Sequence, residues 1–306
     1  MKEIIKKLNE LKKEKNAIIL AHIYQLPEIH DIADFVGDSL DLSKKAVQTN
    51  ADVIVFCGVH FMAETASILN PNKKVLIPAI DAGCPMADMI TAEKLKEFKS
   101  QYKNPVVVAY VNTSAAVKAE SDICCTSSNA VNVVKSVADN KSDIIFIPDR
   151  NLGNYVQKTS GVKMNIWNGF CPTHNNLILP EYALNAKEEH PHAEVLVHPE
   201  CRPEVISSAD HIMSTGVMCR YVEKSTAKEF IIGTETGILY KLKKDNPDKN
   251  FYPVSSFAVC PNMKKITLAK VLDTLTNMKN IVSVPDDIRQ KAYIPILKML
   301  EINAQG

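Results

Sequence analysis

Short apolar runs that end in polar residues recur along the chain, and helical segments separate them. The clearest are "AIILAHIY" (17–24), "PVVVAYVN" (105–112) and "AEVLVHPE" (193–200). Near-continuous apolar runs of this length are typical of parallel strands buried on both faces. After each run come a helical segment, a second buried run, a second helix and a third strand-like run. The second runs are "DVIVFCG", "DIIFIPD" and "EFIIGTE", and the third runs are "KVLIPA", "VKMNIW" and "NFYPVS".

Polar residues at the ends of these elements keep a constant spacing. Three sets lie at steps of 88 residues, and a set of cysteines lies at steps of 87 and 89. The sets are His22, Tyr110 and His198; Tyr24, Asn112 and Glu200; Ser39, Ser127 and Thr215; and Cys84, Cys171 and Cys260. Repetition at a fixed period indicates one structural unit written several times. The pattern therefore predicts three copies of a β-α-β-α-β unit.

The predicted fold class is α/β. We expect three repeated three-layer α/β/α units with small parallel sheets and right-handed crossovers, arranged with pseudo-threefold symmetry around a central active site. The predicted units cover residues 1–85, 86–172 and 173–264. Since no fourth repeat follows, we expect the helical segments within 265–306 to pack back on the first unit.

Composition narrows the functional classes. The chain has 306 residues, 46% of them hydrophobic, and a formal charge of +1, so nothing favours nucleic acid or a membrane surface. No apolar run approaches the ~18 residues of a spanning helix. The charged N-terminal segment lacks the apolar centre of a signal peptide, which favours the cytoplasm. The eight cysteines contain no CxxC, so core packing or metal ligation is a better interpretation than disulfides.

The polar strand ends predict a shared site. In parallel sheets, functional groups gather beyond the carboxyl ends of the strands, so these ends can face one cavity if the three units pack around an axis. The hydroxyl residues Ser39, Ser127 and Thr215 open helical segments. Free backbone N–H groups and the helix dipole favour anions there, so we predict binding of substrate phosphate or carboxylate.

Three cysteines, Cys84, Cys171 and Cys260, stand directly before a proline. A single Cys-Pro is most often a core or turn feature, but three in repeat register indicate a shared ligand role. A structural zinc site normally takes four ligands, whereas a [4Fe–4S] cluster suits soft thiolates. With three cysteines, one iron lacks a protein ligand and can bind substrate as a Lewis acid. The cysteines outside this register are interpreted as packing residues: Cys57, Cys124, Cys125, Cys201 and Cys219.

Eleven short motifs, in order from about residue 17 to 265, together resemble the quinolinate synthase family. They are "AHIYQ", "GDS", "CPM", "YVN", "CTSSNAV", "PDRNLG", "CPTH", "HPE", "STG", "GTE" and "CPNMKK". The resemblance implies condensation of iminoaspartate with dihydroxyacetone phosphate to quinolinate, phosphate and two waters, in NAD biosynthesis. It also implies a [4Fe–4S] cluster on Cys84, Cys171 and Cys260. The pocket residues that it implies are His22, Tyr24, Ser39, Tyr110, Asn112, Ser127, His174, His198, Glu200 and Thr215.

Among these residues, Tyr24, His198 and Glu200 are the candidates for proton transfer. We expect Glu200 to act as a base in enolisation and tautomer steps, and Tyr24 as a proton donor or orienting hydroxyl. The other seven are expected to bind substrate, and an aspartate-oxidising enzyme is a possible transient partner. The chain departs from some family members at Met263 and Ile266, where a CxxCxxC run would place further cysteines.

Two other functional classes stay open at this point. One is a different iron–sulfur hydro-lyase acting on a small carboxylate. The other is a non-enzymatic iron–sulfur sensor, against which the near-zero charge and the lack of a basic run speak.

Overall fold

The apolar runs form three separate four-stranded parallel sheets in the structure, a computed structural model that describes residues 2–139 and 142–303. The first sheet contains β1 (Ala17–His22), β2 (Phe35–Gly37), β3 (Val53–Cys57) and β4 (Lys74–Leu76). The second contains β5 (Val106–Tyr110), β6 (Ile123–Cys125), β7 (Ile144–Ile147) and β8 (Asn165–Ile166). The third contains β9 (Glu194–Val197), β10 (His211–Ile212), β11 (Glu229–Gly233) and β12 (Asn250–Pro253).

Helices connect consecutive strands and follow the last sheet. They are α1 (Lys2–Glu14), α2 (Pro27–Ile32), α3 (Ser39–Gln48), α4 (His60–Leu69), α5 (Ala92–Lys99), α6 (Ala115–Ala119), α7 (Ala130–Val137), α8 (Arg150–Ser160), α9 (Pro172–Leu177), α10 (Pro180–Glu189), α11 (Pro203–Ser207), α12 (Thr215–Lys224), α13 (Ile238–Asp245), α14 (Leu268–Asn277) and α15 (Asp286–Glu301). Short 3-10 turns occupy Ala87–Met89 and Met263–Lys265. No helix among the described residues is long and apolar enough to cross a membrane.

All three sheets have the same strand order, in which the first strand of the unit lies between the second and the third: β2-β1-β3-β4, β6-β5-β7-β8 and β10-β9-β11-β12. The α/β class and the threefold repetition are therefore confirmed. Each sheet also has one strand more than the β-α-β-α-β pattern predicted. The extra strands β2, β6 and β10 are only two or three residues long, too short to show a hydrophobic period. The pseudo-threefold arrangement stays a prediction.

The C-terminal segment contacts the first two sheets. Helix α14 packs on α1, and residues 280–282 run along the edge strand β4, where Val282 N donates to Val75 O. This contact covers the edge of the first sheet. Helix α15 contacts α4 but lies mainly against α6 and β6 of the second sheet. Both helices were expected to pack back on the first unit. The unit boundaries at 85 and 172 stay predictions.

Candidate active site

One cavity of about 160 Å³ lies where the three sheets present their carboxyl ends. All thirteen residues predicted for the site line it, so the structure brings the whole set together. They are Cys84, Cys171 and Cys260; His22, Tyr24 and Ser39; Tyr110, Asn112 and Ser127; and His174, His198, Glu200 and Thr215. Their individual roles stay predictions.

The two strand-end histidines have the same local geometry. His22 Nδ1 accepts a hydrogen bond from Tyr24 N at 3.1 Å, and His198 Nδ1 accepts one from Glu200 N at 3.2 Å. Burial lowers the pKa of His22 to about 4 and that of His198 to about 3. Both rings are therefore neutral at pH 7, and the proton lies on Nε2. His198 Nε2 is 3.2 Å from Ser127 Oγ, so these rings donate hydrogen bonds in the cavity.

A hydrogen-bonded chain crosses the cavity from the first sheet to the second. Tyr24 Oη is 2.5 Å from Thr234 Oγ1, which is 2.8 Å from His174 Nε2. On its other side, His174 Nδ1 is 2.7 Å from Glu200 Oε2. Tyr110 Oη then donates to Glu200 Oε1 at 2.6 Å. Thr234 was missed by the assignment of roles from sequence, although it belongs to the "GTE" motif.

The charge state of this chain follows from its surroundings. Burial by itself raises the pKa of Glu200, but His174 and the Tyr110 hydroxyl lower it to about 2. Burial, followed by the charge of Glu200, raises the pKa of Tyr24 and of Tyr110 well above 10. At neutral pH the chain therefore holds one carboxylate between two neutral phenols.

The three hydroxyl residues differ in their relation to the helices. Ser39 and Thr215 are the first residues of α3 and α12, whereas Ser127 lies in the turn before α7. The N-caps are Asp38 and Ser214. Ser127 thus does not begin a helix, and the helix dipole predicted to favour an anion beside it does not apply to it.

The α3 N-terminus already carries an anion. Asp38 Oδ1 accepts from Leu40 N and Asp41 N, both at 3.0 Å. The free backbone N–H groups expected beside Ser39 are therefore occupied by a carboxylate. Ser39 therefore offers a ligand chiefly its hydroxyl.

Asp38, which lines the cavity, also joins the three units. Its Oδ2 is 2.8 Å from Ser128 Oγ and 3.4 Å from Ser214 Oγ, and the two serine oxygens are 2.8 Å apart. Gly216 allows this contact, because a Cβ there would collide with Asp38 Oδ2. Asp38, Ser128 and Ser214, one residue from each unit, are called the serine–aspartate junction below.

Backbone N–H groups point at the three cavity thiols. They come from Met86 and Ala87 to Cys84, from His174 to Cys171, and from Asn262 and Met263 to Cys260. Burial raises the pKa of all three thiols, that of Cys84 to about 12, and these N–H groups act in the opposite direction. A charged Cys260 raises the pKa of Cys84 further, and a charged Cys84 raises the pKa of Cys171 further. Burial therefore disfavours free thiolates at these three positions.

Two buried carboxylates fix the backbone of two of these cysteines. Cys171 N donates to Asp149 Oδ2 at 2.9 Å, and Cys260 N donates to Glu235 Oε1 at 3.0 Å. Asp149 and Glu235 both lie two residues beyond the second buried strand of their unit, after β7 and β11. The sequence contained this signal in "PDR" and "GTE", but no role was assigned to either residue.

A second possible metal-binding group overlaps the cavity. Donor atoms of Cys171, His174 and Glu200 all lie within 4.8 Å of one another. His174 Nδ1 is 3.3 Å from Cys171 Sγ and 2.7 Å from Glu200 Oε2, so a proton on Nδ1 also satisfies this group. Cys171 belongs to both ligand sets.

Comparison with known proteins gives a consistent result. The profile of the family described as quinolinate synthetase A protein matches residues 6–301. The quinolinate synthase of Thermodesulfovibrio yellowstonii is 55% identical over 299 residues, which cover 97% of this chain and 98% of the relative. That of Dehalococcoides mccartyi strain 195 is 56% identical over 297 residues, 97% of each chain. That of Methanosarcina barkeri is 55% identical over 300 residues, 98% of each chain. The chain therefore belongs to the quinolinate synthetase A protein family of enzymes, which confirms the resemblance that its motifs indicated.

Proposed function

We propose that this enzyme condenses iminoaspartate with dihydroxyacetone phosphate to form quinolinate, with release of phosphate and two waters. The observation that carries the proposal is the two-sided cavity. Three thiols line one end of it, and a hydrogen-bonded acid–base chain around Glu200 lines the wall. Family membership supports the same reaction, since the relatives bear the name quinolinate synthase. Neither a sensor nor another hydro-lyase receives such support.

Cys84, Cys171 and Cys260 are the residues that would hold a [4Fe–4S] cluster. The donor set fits, because soft thiolates are the usual ligands of such clusters and backbone N–H groups face each sulfur. When bound through three thiolates only, a cluster supplies a Lewis-acidic iron to which an oxygen of the substrate can bind. We prefer these ligands to the group of Cys171, His174 and Glu200, because hydrogen bonds already satisfy His174 and Glu200.

The donors in the cavity suit dianionic substrates. The neutral rings of His22 and His198 present Nε2–H groups, and the hydroxyls of Ser39, Ser127 and Thr215 line the same space. Asn112 Oδ1 is buried and has no hydrogen-bond partner among the described residues. An orphan acceptor of this kind is satisfied when a ligand brings an N–H or O–H group, such as an imine or an alcohol.

The hydrogen-bonded chain can take up and deliver protons. Glu200 is ionised at neutral pH and serves as the base, while Tyr24 serves as a neutral donor. Thr234 and His174 connect the two, so a proton accepted by Glu200 has a route toward Tyr24. His198, neutral with Nδ1 occupied, acts through its Nε2–H, which makes it a hydrogen-bond donor to a developing negative charge.

The supply of iminoaspartate requires a reaction that oxidises aspartate. We keep an aspartate-oxidising enzyme as a possible transient partner, and the cytoplasm as the compartment, where thiols such as the eight free cysteines stay reduced.

An anaerobic turnover assay tests this function. Protein reconstituted with iron and sulfide should form quinolinate from iminoaspartate and dihydroxyacetone phosphate. Cys84→Ala should abolish both turnover and the visible absorption of the cluster, whereas Cys219→Ala, a half-buried cysteine outside the cavity, should retain both. A fully loaded wild-type enzyme that makes no quinolinate would refute the proposal.

A further inference from the structure

Two surface depressions share lining residues with the cavity. The outer cleft, of about 1020 Å³, is defined by Lys44, Ser127, Ser214, Arg220 and Lys224. It shares Ser127 with the cavity, and Ser128 and Ser214 of the serine–aspartate junction also line it. The second depression shares Cys84 and Gly83 with the cavity, so the two surface depressions approach it from the hydroxyl end and from the cysteine end.

The second depression, of about 220 Å³, is acidic. We call it the cysteine groove and define it by Glu64, Asp81, Gly83, Cys84 and Asp88. Two ion pairs oppose its three carboxylates: Lys265 Nζ to Asp81 Oδ2 at 3.1 Å and, when the histidine is protonated, His60 Nδ1 to Glu64 Oε1 at 3.9 Å. A dianion approaching from this side meets net negative charge.

The outer cleft has the opposite charge. Within the described part of the chain, Lys44 and Lys224 have no carboxylate within 4.0 Å. Arg220 Nη1 is 3.5 Å from Asp41 Oδ2, and Asp41 is the only carboxylate among the residues that line the cleft. Burial and the neighbouring Asp38 raise the pKa of Asp41 to about 6, so this carboxyl is still mostly ionised at pH 7 and the three cations outnumber it.

We propose that the outer cleft is an anion-binding entrance, through which small dianions such as organic phosphates and dicarboxylates reach the cavity past Ser127. This inference rests on the proposed function for the identity of the substrates. Lys44, Arg220 and Lys224 raise the local concentration of dianions at the hydroxyl end, and the cysteine groove excludes them from the cluster end. Charged clefts of this kind raise association with a charged substrate by ~10–1000-fold, and salt screens the effect.

Matched neutralisations test the charge of each opening. Lys44→Gln with Lys224→Gln removes two charges from the cleft, and Asp81→Asn with Asp88→Asn removes two from the groove. The cleft double variant should lower kcat/KM for dihydroxyacetone phosphate about fivefold at low ionic strength, and the loss should shrink to less than about twofold at ~0.5 M salt. The groove double variant should stay within about twofold of wild type at both salt concentrations.

Two bulky substitutions, one in each depression, test the route of substrate entry independently of charge. Val217→Trp places a large ring in the outer cleft, and Ile80→Trp places one in the cysteine groove, where Ile80 is already exposed. Only Val217→Trp should lower kcat/KM, with iron content and melting temperature near those of wild type. Equal effects of the two rings, or a larger effect in the groove, would overturn the inference.

Failure of the proposed function gives a different result. In that case the wild-type holoenzyme makes no quinolinate, and inorganic phosphate replaces the substrate as the probe. Calorimetric titration should then show weaker phosphate binding to Lys44→Gln/Lys224→Gln than to wild type or to the groove double variant. Identical phosphate binding by all three proteins would refute the anion-binding entrance, whether or not the enzyme makes quinolinate.

Discussion

The first and third units end their leading strands in the same way. In β1 and in β9 a histidine follows the apolar run, and its Nδ1 accepts the backbone N–H of the residue two positions later. That residue is Tyr24 in the first unit and Glu200 in the third. One backbone geometry therefore presents a neutral phenol on one wall of the cavity and a carboxylate on another.

The same two units differ behind their cysteines. In the strand registers, Ala21 pairs with Cys57 of β3 and Val197 pairs with Gly233 of β11. Two residues beyond these partners stand Val59 and Glu235. Glu235 accepts the N–H of Cys260, and Val59 has no group that can do so.

This contrast shows that the repeated fold determines where side chains lie, whereas the residue type at each position determines its chemistry. The fold brings three strand ends and three cysteines to one cavity whatever the residue types are. Different residue types at equivalent positions then provide the neutral phenol, the carboxylate and the acceptor that holds a cysteine backbone. Each unit therefore contributes a different group to one site.

The largest expected effect concerns the residues at the ends of β1 and β9. Glu200→Gln should lower kcat about 1000-fold and Tyr24→Phe about 100-fold, because loss of a general base or acid typically costs between 10² and 10⁴. Steady-state quinolinate formation measures both. Iron content provides the control, since both variants should stay fully loaded.

Loss of activity in Tyr24→Phe equal to that in Glu200→Gln would indicate that the hydrogen-bonded chain acts as one unit. A near-normal kcat in Glu200→Gln would remove Glu200 as the base.

The next prediction tests the carboxylate behind Cys260. Glu235→Gln replaces one acceptor by an NH₂ group facing backbone N–H groups, because Oε1 accepts from Cys260 N and Oε2 from Gly237 N. The variant should lose about 2 kcal/mol of unfolding free energy, the usual cost of a hydrogen bond to a charged group. It should also bind less iron and sulfide than wild type.

Val59→Ala is the matched control in the first unit. It changes the equivalent position but removes no hydrogen bond, so iron content should not fall. Equal iron loss in both variants would mean that the carboxylate acts through packing alone.

Much of the fold followed from sequence, because buried parallel strands have long apolar runs and repeat at a constant period. The period also located every residue set that meets in the cavity except His174, which the family motif supplied. What it missed were the short strands and the packing of distant segments. Strands β2, β6 and β10 have no readable period, and a period gives no information on where α15 packs.

The supporting residues were harder to predict. In the sequence, Asp149 and Glu235 resemble ordinary charged loop residues. Only the strand registers show that they lie behind the cysteines. Asp38 likewise looks like a helix cap, and its contacts with Ser128 and Ser214 depend on how three units pack. Sequence spacing gives no direct measure of distances between units, so these roles required coordinates.

His22 and His198 have the same local geometry, so we expect them to contribute equally to the loss of folding stability at acid pH. Their folded pKa values, about 4 and about 3, lie below the ordinary value of 6.5. The unfolded chain therefore binds more protons between pH 6.5 and 4, so their stabilising contribution is complete above pH 6.5 and is lost as the pH falls. Each histidine should contribute a slope of about 1.4 kcal/mol per pH unit.

Denaturant unfolding between pH 4.5 and 7 measures this slope. His22→Gln and His198→Gln should each flatten it by the same amount. His30→Gln, outside the cavity, is the positive control: burial also lowers the pKa of His30 to about 4, so this variant should flatten the slope as well. Unequal slopes for the first two variants would break the likeness between the units.

The smallest expected effect separates Ser39 from Ser127. Asp38 already occupies the N–H groups of Leu40 and Asp41, so Ser39→Ala removes one hydroxyl hydrogen bond to the substrate that these N–H groups do not reinforce. Its Michaelis constant for dihydroxyacetone phosphate should rise about threefold, in line with ~0.7 kcal/mol for such a bond. Ser127 stands beside His198 Nε2, 3.2 Å away, so its hydroxyl and this ring nitrogen can bind the same substrate oxygen. Ser127→Ala should therefore cost about tenfold, as expected for a bond to a charged phosphate oxygen. Neither residue is a helix cap, so both variants should melt near the wild-type temperature. A lower melting temperature with unchanged kinetics would contradict the anion-binding role of the hydroxyls.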